Sequence, residues 1–308
     1  MVDFLQSTGI FVLTFGILAL SYNLLFGYLG VTSLAHSAFW GIGAYASALT
    51  AVNHGWPWPA GMALGFFLAG AVGALVAIPA VRLRGDYLLI ATIGFQVILH
   101  SLFLNWRSVT NGPLGIRRIP RPTVFGQLVQ SQSAYLVFAF VLFLLVLFIT
   151  WRLSRSPFGR MLKAVRDDDI AAQSLGKNVV IITIVAFAIS GALAALSGSL
   201  LAIRVTYIDP ESFILLNSFF ILTIVAVGGA GNFLGSIAGA VFIVGLPELL
   251  RLVDLPNGVV GPLRQIIIGV VLIAFMMFRP QGLVPEHRRR GGDDDVDAER
   301  GVVQVAPG

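Results

Sequence analysis

The sequence predicts an all-α fold, a polytopic bundle of about nine membrane-spanning helices with eight to ten as the bounds. Three observations carry this prediction. Hydrophobic residues make up 57% of the 308 positions and charged residues only 11%, where a soluble domain has about 25% charged residues. Several apolar runs reach roughly 17 to 25 residues, the length that crosses a bilayer's hydrocarbon core. The run "LVFAFVLFLLVLFI" from Leu136 does not alternate polar with apolar residues, which excludes a transmembrane β-barrel.

Taken in order, the apolar runs place spans at 6–27, 34–51, 60–80, 87–104, 134–151, 179–203, 214–231, 233–250 and 263–279. The first has neither a basic n-region nor an A-x-A cleavage site before it, so it reads as a retained span. The second is short and interrupted by glycine, so a re-entrant segment fits it as well as a span. Together, residues 1–283 form the transmembrane domain, interrupted by a wet loop at 152–178, and 284–308 form a charged tail. That tail, with Arg288 to Arg290 followed by an acidic run, is expected to be disordered, its basic cluster near anionic headgroups.

The charges partition sharply. Nine lie in 152–178 and eleven in 279–308, and the other 251 residues share fifteen. Four predicted spans separate the loop from the tail, which puts both on one side. With Arg82 and Arg84, that side collects thirteen of the twenty Lys and Arg residues, which makes it cytoplasmic. The segment 105–133 then faces outward, although it carries Arg107, Arg117, Arg118 and Arg121 and no acid. Either the exception is tolerated or it is an external docking surface for an acidic partner. In a membrane protein the net charge of +5 reflects loop Lys and Arg, with no need for a nucleic-acid partner.

Enzymatic motifs fail on inspection. The absence of cysteine excludes disulfides, thiolate metal sites and cysteine nucleophiles. Around Gly176, "GKN" lacks the leading glycine (Ala171) and the Ser/Thr (Asn178) of a phosphate-binding loop. "GIGAYA" from Gly41 fits G-x-G-x-x-A but lies inside an apolar helix, where its glycines permit close packing or a bend. The histidines at 36, 54, 100 and 287 have no ligand spacing. The chain therefore reads as non-catalytic.

The wet loop is structured. Phe158, Met161, Leu162 and Val165 recur at helical spacing beside a second stripe of Arg160, Lys163 and Arg166, as in a helix lying on the membrane surface, with Pro157 in its first turn. Asp169 is expected to cap a second helix of about two turns starting at Ile170, with Gly176 as its C-terminal glycine. Ala171 and Ala172 would leave that helix a low-relief surface. It is either an ordinary amphipathic loop or a knob that slots into a partner's groove.

Ile170-Ala171-Ala172-x-x-x-Gly176 resembles the EAA loop of ABC-importer permeases, whose short coupling helix docks onto an ATPase subunit. Ile170 stands where many members have Glu. Beyond it, "NLLFGYLGVTSLAHSAFWGIGAYASAL", "RLRGDYLLIATIGF", "NGPLGI", "SPFGRMLKAVRDDDIAAQSLGKNV", "DPESF", "AVGGAGNFLGSIAGAVF", "LPELLR" and "FRPQGL" follow in order across residues 10 to 283. This set is similar to the branched-chain amino-acid permease family of the LivM type. The resemblance implies an importer permease in a bacterial-type inner membrane, with Arg166, Asp169, Ile170, Ala171, Ala172 and Gly176 in the ATPase-coupling loop. It further implies a LivH-like second permease, two cytoplasmic ATPases and an extracytoplasmic solute-binding protein. This chain would bind no cofactor, and ATP and Mg would be used by the ATPases. Cargo would be a branched-chain amino acid, with urea, short amides or another amino acid as alternatives.

Two glycine-rich stretches, 27–43 and 227–239, are candidates for the translocation path. Transporters break helices with such residues near their binding sites, although close helix packing uses them too. The candidates are Ser33, His36, Ser37, Gly41, Gly43, Gly228, Gly229, Gly231 and Asn232. His36 either contacts cargo or bonds to a neighbouring helix. Glu248, three residues before Arg251, invites an ion pair. No acid sits in mid-span, which favours external ATP drive over a self-sufficient secondary carrier or channel.

Overall fold

The computed structural model describes residues 2–83, 85–121, 123, 124, 127, 128 and 131–250, with scattered positions between 263 and 284. The expected tail, most of the ninth span and Arg251 lie outside the described residues. The helices are α1 (Val2–Asn23), α2 (His36–His54), α3 (Trp58–Ala80), α4 (Asp86–Asn105), α5 (Arg107–Thr110), α6 (Gln132–Ser154), α7 (Pro157–Asp167), α8 (Asp169–Ser174), α9 (Val179–Val205), α10 (Leu215–Gly228) and α11 (Phe233–Leu250). A π-helical turn, Leu24–Leu29, extends α1.

Among the described residues, five helical segments are long and apolar enough to cross a bilayer: Leu5–Leu29, Trp58–Ala80, Asp86–Asn105, Gln132–Ser154 and Val179–Val205. The pair α10–α11 is apolar enough as well but is bent by 118° between its two arms. The membrane bundle follows the sequence, but the described residues do not establish nine spans. α2 fails the apolarity test for a physical reason. Its small and polar residues are covered by protein on nearly every side, so lipid does not dictate its composition.

α2, α3 and α9 form the densest part of the bundle, and α1 packs against α9. Hydroxyls stitch it together: Ser190 donates to the Ser21 carbonyl at 2.7 Å and Ser197 to the Thr14 carbonyl at 2.8 Å. Ser47 donates to Ser199 at 2.6 Å, and Ser199 lies 3.2 Å from the Gly43 carbonyl. Interhelical bonds of this kind average about 0.6 kcal/mol in a membrane. Small residues bring the backbones together, so that the hydroxyls can reach.

The 152–178 loop marks one end of the bundle. At the far end, strand β1 (Ile116–Arg117) pairs antiparallel with β4 (Tyr207–Ile208), and β2 (Thr123–Val124) pairs with β3 (Gln127–Leu128). Trp58 Nε1 donates to the Pro120 carbonyl there at 3.1 Å. Arg117 lies over the Tyr207 ring at 5.8 Å. A cleft of about 370 Å³ opens beside it, lined in part by Asn53, Ser108, Asn111 and Arg117.

Candidate functional site

The loop segment folds as two helices. Ser156 caps α7, accepting from the Gly159 N–H at 3.3 Å, and Pro157 occupies its first position. Leu162 is fully buried, and Phe158, Met161 and Val165 pack against the core, so the apolar stripe faces the bundle, where the sequence suggested the membrane surface. Two of the three stripe cations grip the end of α1. Lys163 Nζ sits 5.2 Å from the Tyr28 ring centroid, and Arg166 Nη1 donates to the Gly27 carbonyl at 2.6 Å. That carbonyl lies at a helix C-terminus, where a cation is favoured and a charge-assisted bond is worth about 1.5 to 3 kcal/mol. Gly30 closes the turn at φ +76°, and a Cβ there would meet Arg166 Cγ at 2.5 Å.

One cap differs from expectation. The residue that caps α8 is Asp168, whose carboxylate accepts from Ile170 N–H at 2.9 Å and Ala171 N–H at 3.0 Å. Asp169 is instead the first helical residue, its charge beside the positive end of the dipole. Three successive aspartates could each cap. Asp168 does so because it alone is extended, at φ −159° and ψ 107°, where it also ends α7 by donating to the Ala164 carbonyl at 3.0 Å. Asp168→Ala should cost about 1 kcal/mol of local stability, read as faster hydrogen exchange at Ile170 and Ala171.

Gly176 ends α8 as the sequence predicts. At φ +74°, its N–H reaches the Gln173 carbonyl at 2.9 Å and the Lys177 N–H reaches the Ala172 carbonyl at 3.1 Å, a Schellman pair. The low-relief surface is only half present, because Ala171 is exposed but Ala172 is buried. α8 and its C-terminal residue expose two large apolar side chains, Ile170 at 62% and Leu175 at 78%, beside the polar Gln173 and Ser174. Asn178 caps α9 through the Ile181 N–H at 3.1 Å.

The first glycine-rich stretch passes from the π-turn through an extended piece into α2, which begins inside the bundle. Ser33, His36 and Ser37 are fully buried. His36 Nε2 is 2.8 Å from Ser21 Oγ; among the described residues no hydrogen-bond partner faces its Nδ1 or Ser37 Oγ. The N–H groups at the start of α2 are met by side chains from other helices, the Ala38 N–H being shared with the Ala35 carbonyl at 3.1 Å. Leu34 donates to Thr92 Oγ1 at 3.1 Å, Ser37 to Ser218 Oγ at 3.0 Å, and Ala38 to Gln96 Oε1 at 2.8 Å. Gln96 Nε2 in turn donates to the Phe213 carbonyl at 2.7 Å, just before α10. Gln96 is the eleventh residue of α4, about 15 Å along its axis. One amide thus clasps the starts of α2 and α10 deep in the bundle. A Cβ on Gly41 would meet Phe103 at 2.8 Å and one on Gly43 the Ala195 carbonyl oxygen at 2.1 Å, so both stand at close packing contacts.

The second stretch is the bend between α10 and α11. Asn23 at the end of α1 spans it: Nδ2 donates to the Asn232 carbonyl at 3.0 Å, and Oδ1 accepts from Gly231 N–H at 2.9 Å. From the other side, Leu283 N–H reaches the Val227 carbonyl at 2.8 Å and Val284 N–H the Gly228 carbonyl at 3.0 Å, capping α10. Gly228 and Gly229 are buried within this junction. The structure therefore joins Gly228, Gly229, Gly231 and Asn232 to α7 through the end of α1, while Ser33, His36, Ser37, Gly41 and Gly43 form a separate, deeper cluster. Sequence reasoning missed Asn23, Thr92, Gln96 and Ser218. The available signal was a lone amide in an otherwise apolar run, since such a group needs a partner in a membrane.

Residues 5–276 match the family model described as branched-chain amino acid transport system / permease component. The chain is 37% identical over 312 residues to the high-affinity branched-chain amino acid transport system permease protein LivM of Salmonella typhimurium, covering 93% of this chain and 70% of that one. It is 37% identical over 297 residues to the LivM protein of Escherichia coli K12, covering 88% and 68%. The autoinducer 2 import system permease protein LsrC of Escherichia coli O9:H4 is 28% identical over 226 residues, covering 71% and 60%. No solved structure matches the chain.

Proposed function

The chain belongs to the branched-chain amino acid transport permease family, and on that premise we propose that it is a membrane-spanning permease subunit of an ATP-driven importer for branched-chain amino acids. Residues 152–178 are its ATPase-coupling loop, lying with the C-terminus on the cytoplasmic side of an inner membrane crossed about nine times. ATP and Mg are bound by separate ATPase subunits, a second LivH-like permease completes the pathway, and an extracytoplasmic binding protein delivers the amino acid. The arginine-bearing far end, with its cleft at Arg117, is where an acidic face of that binding protein would dock.

The observation that carries the coupling reading is α8 itself. A two-turn helix is marginal alone in water, yet this one is capped at both ends and presents Ile170 and Leu175 to solvent. Such a surface suits a partner's groove. Arg166 and the Asp168 cap hold the segment in place, Asp169 sits at the positive end of α8, and Gly176 stops it. Within the path, Gly228 to Asn232 supply a bend that can move, and the buried Ser33, His36, Ser37, Gly41 and Gly43 shape the wall behind it.

The test replaces the exposed anchor. Leu175→Asp should leave the chain folded but lower leucine uptake at least about tenfold, because a buried interface anchor is worth about 2 kcal/mol or more. Ala172→Arg is the poorer variant, since Ala172 is buried and its loss of function would reflect misfolding. Normal uptake by Leu175→Asp would count against docking through α8. ATP-free accumulation by the purified chain alone would instead mark a secondary carrier.

A further inference from the structure

We propose that Arg166, the Gly27 carbonyl and Asn23 form a strut that delivers movement of the coupling segment to the bend at Gly228–Asn232. This deepens the coupling reading and rests on it. Arg166 Nη1 holds the Gly27 carbonyl at 2.6 Å, and its aliphatic stem lies over Gly30. Lys163, one turn back on the same face of α7, covers Tyr28 of the same π-turn. On the opposite side, Gly27 is so close to the bend that a Cβ would sit 2.1 Å from the Gly231 nitrogen and 2.0 Å from Asn23 Oδ1. Asn23, one turn before Gly27, completes the path with its two bonds to Gly231 and Asn232.

The π-turn is what allows both contacts. A π-turn inside an α-helix is rare and concentrates at functional sites. Here it turns the last carbonyls of α1 toward α7 and brings Gly27 against the bend. Asn23 is 1% exposed and Gly231 is buried, so the seam excludes water. A push on α7 therefore arrives at the α10–α11 junction through the Arg166 side chain, the Gly27 backbone and the Asn23 amide, each held by a hydrogen bond or a close backbone contact. Arg166 and Asn23 act as positioning residues. They need not touch cargo.

The experiment uses the assembled importer, with its second permease, ATPases and binding protein, in proteoliposomes. Leucine transported per ATP hydrolysed is measured. Wild type must show ATP-dependent uptake, and if it shows none the importer reading itself fails. Arg166→Gln and Asn23→Ala should each lower the ratio about tenfold, within the range typical of energetic coupling between sites. The double variant should be no worse than either single one, since both cut one path. Arg166→Lys, which keeps a donating cation, should recover part of the loss. Arg82→Gln, an exposed cation outside the loop, should transport normally.

An unchanged ratio in Arg166→Gln overturns the strut while leaving the importer reading intact, as do additive losses in the double variant. Loss of the ATPase subunits from purified Arg166→Gln complexes also overturns it, in favour of a docking role for that arginine. An equal effect of Arg82→Gln would attribute the loss to surface charge in general and would overturn it too.

Discussion

Gly198→Val is expected to remove most folded protein, with a cost of about 3 kcal/mol or more. Gly198 lies where α9 crosses α2, and a Cβ built there stands 1.9 Å from the Trp40 carbonyl oxygen and 2.8 Å from the Ala44 nitrogen. Both are backbone atoms, so no rotamer change relieves the clash. The helices would have to part, and parting them also breaks the Ser47–Ser199 and Ser199–Gly43 bonds. The check is the yield of monodisperse protein in detergent and its unfolding temperature. Gly94→Ala is the control, because a Cβ there meets nothing within 4 Å, and a substitution so placed should change stability by less than about 0.5 kcal/mol. If Gly198→Val melted at the wild-type temperature, the two backbones would not be in contact.

Gln96→Leu should also destabilise the fold, for the opposite reason. Leucine fits the space but makes no hydrogen bond, so the Phe213 carbonyl is left buried without its partner, and the Ala38 N–H keeps only its longer bond to the Ala35 carbonyl at 3.1 Å. The stranded carbonyl costs about 1 to 3 kcal/mol. The specific signature is local: amide exchange at Ala38 should accelerate more than exchange along α9. Uniform destabilisation would mean that the amide is not what ties the starts of α2 and α10.

Hydropathy reads which solvent a residue faces, and it served well wherever lipid was that solvent. The run at 60–80 corresponds to Trp58–Ala80, 87–104 to Asp86–Asn105, 134–151 to Gln132–Ser154 and 179–203 to Val179–Val205. The local codes for α7 and the end of α8 were legible too, because Pro157 and Gly176 act through their own backbone preferences. Choices that depend on distant atoms were not. Nothing in "NLLFGYLG" announces a π-turn, which forms where Asn23 and Gly27 meet Gly231. Nor could three aspartates in a row reveal which one is extended, and the resulting phase of α8 decided that Ala172 faced inward. Among the candidate path residues, glycine chemistry alone did not separate a bend, as at Gly228–Asn232, from a crossing, as at Gly43.

The hydroxyl rungs between α1 and α9 carry a mechanical consequence. Ser190 and Ser197 are seven residues apart and bond carbonyls seven residues apart, at Ser21 and Thr14, in the opposite sense. A slip of one residue along the axis, about 1.5 Å, would break both fastenings at once. Since α2 is pinned to the same helix through Ser47 and Gly43, these three travel as a single keel. Shape changes during a turnover must then occur in what is hung from that keel, and labels placed on α1 and α9 should keep a constant separation throughout the cycle.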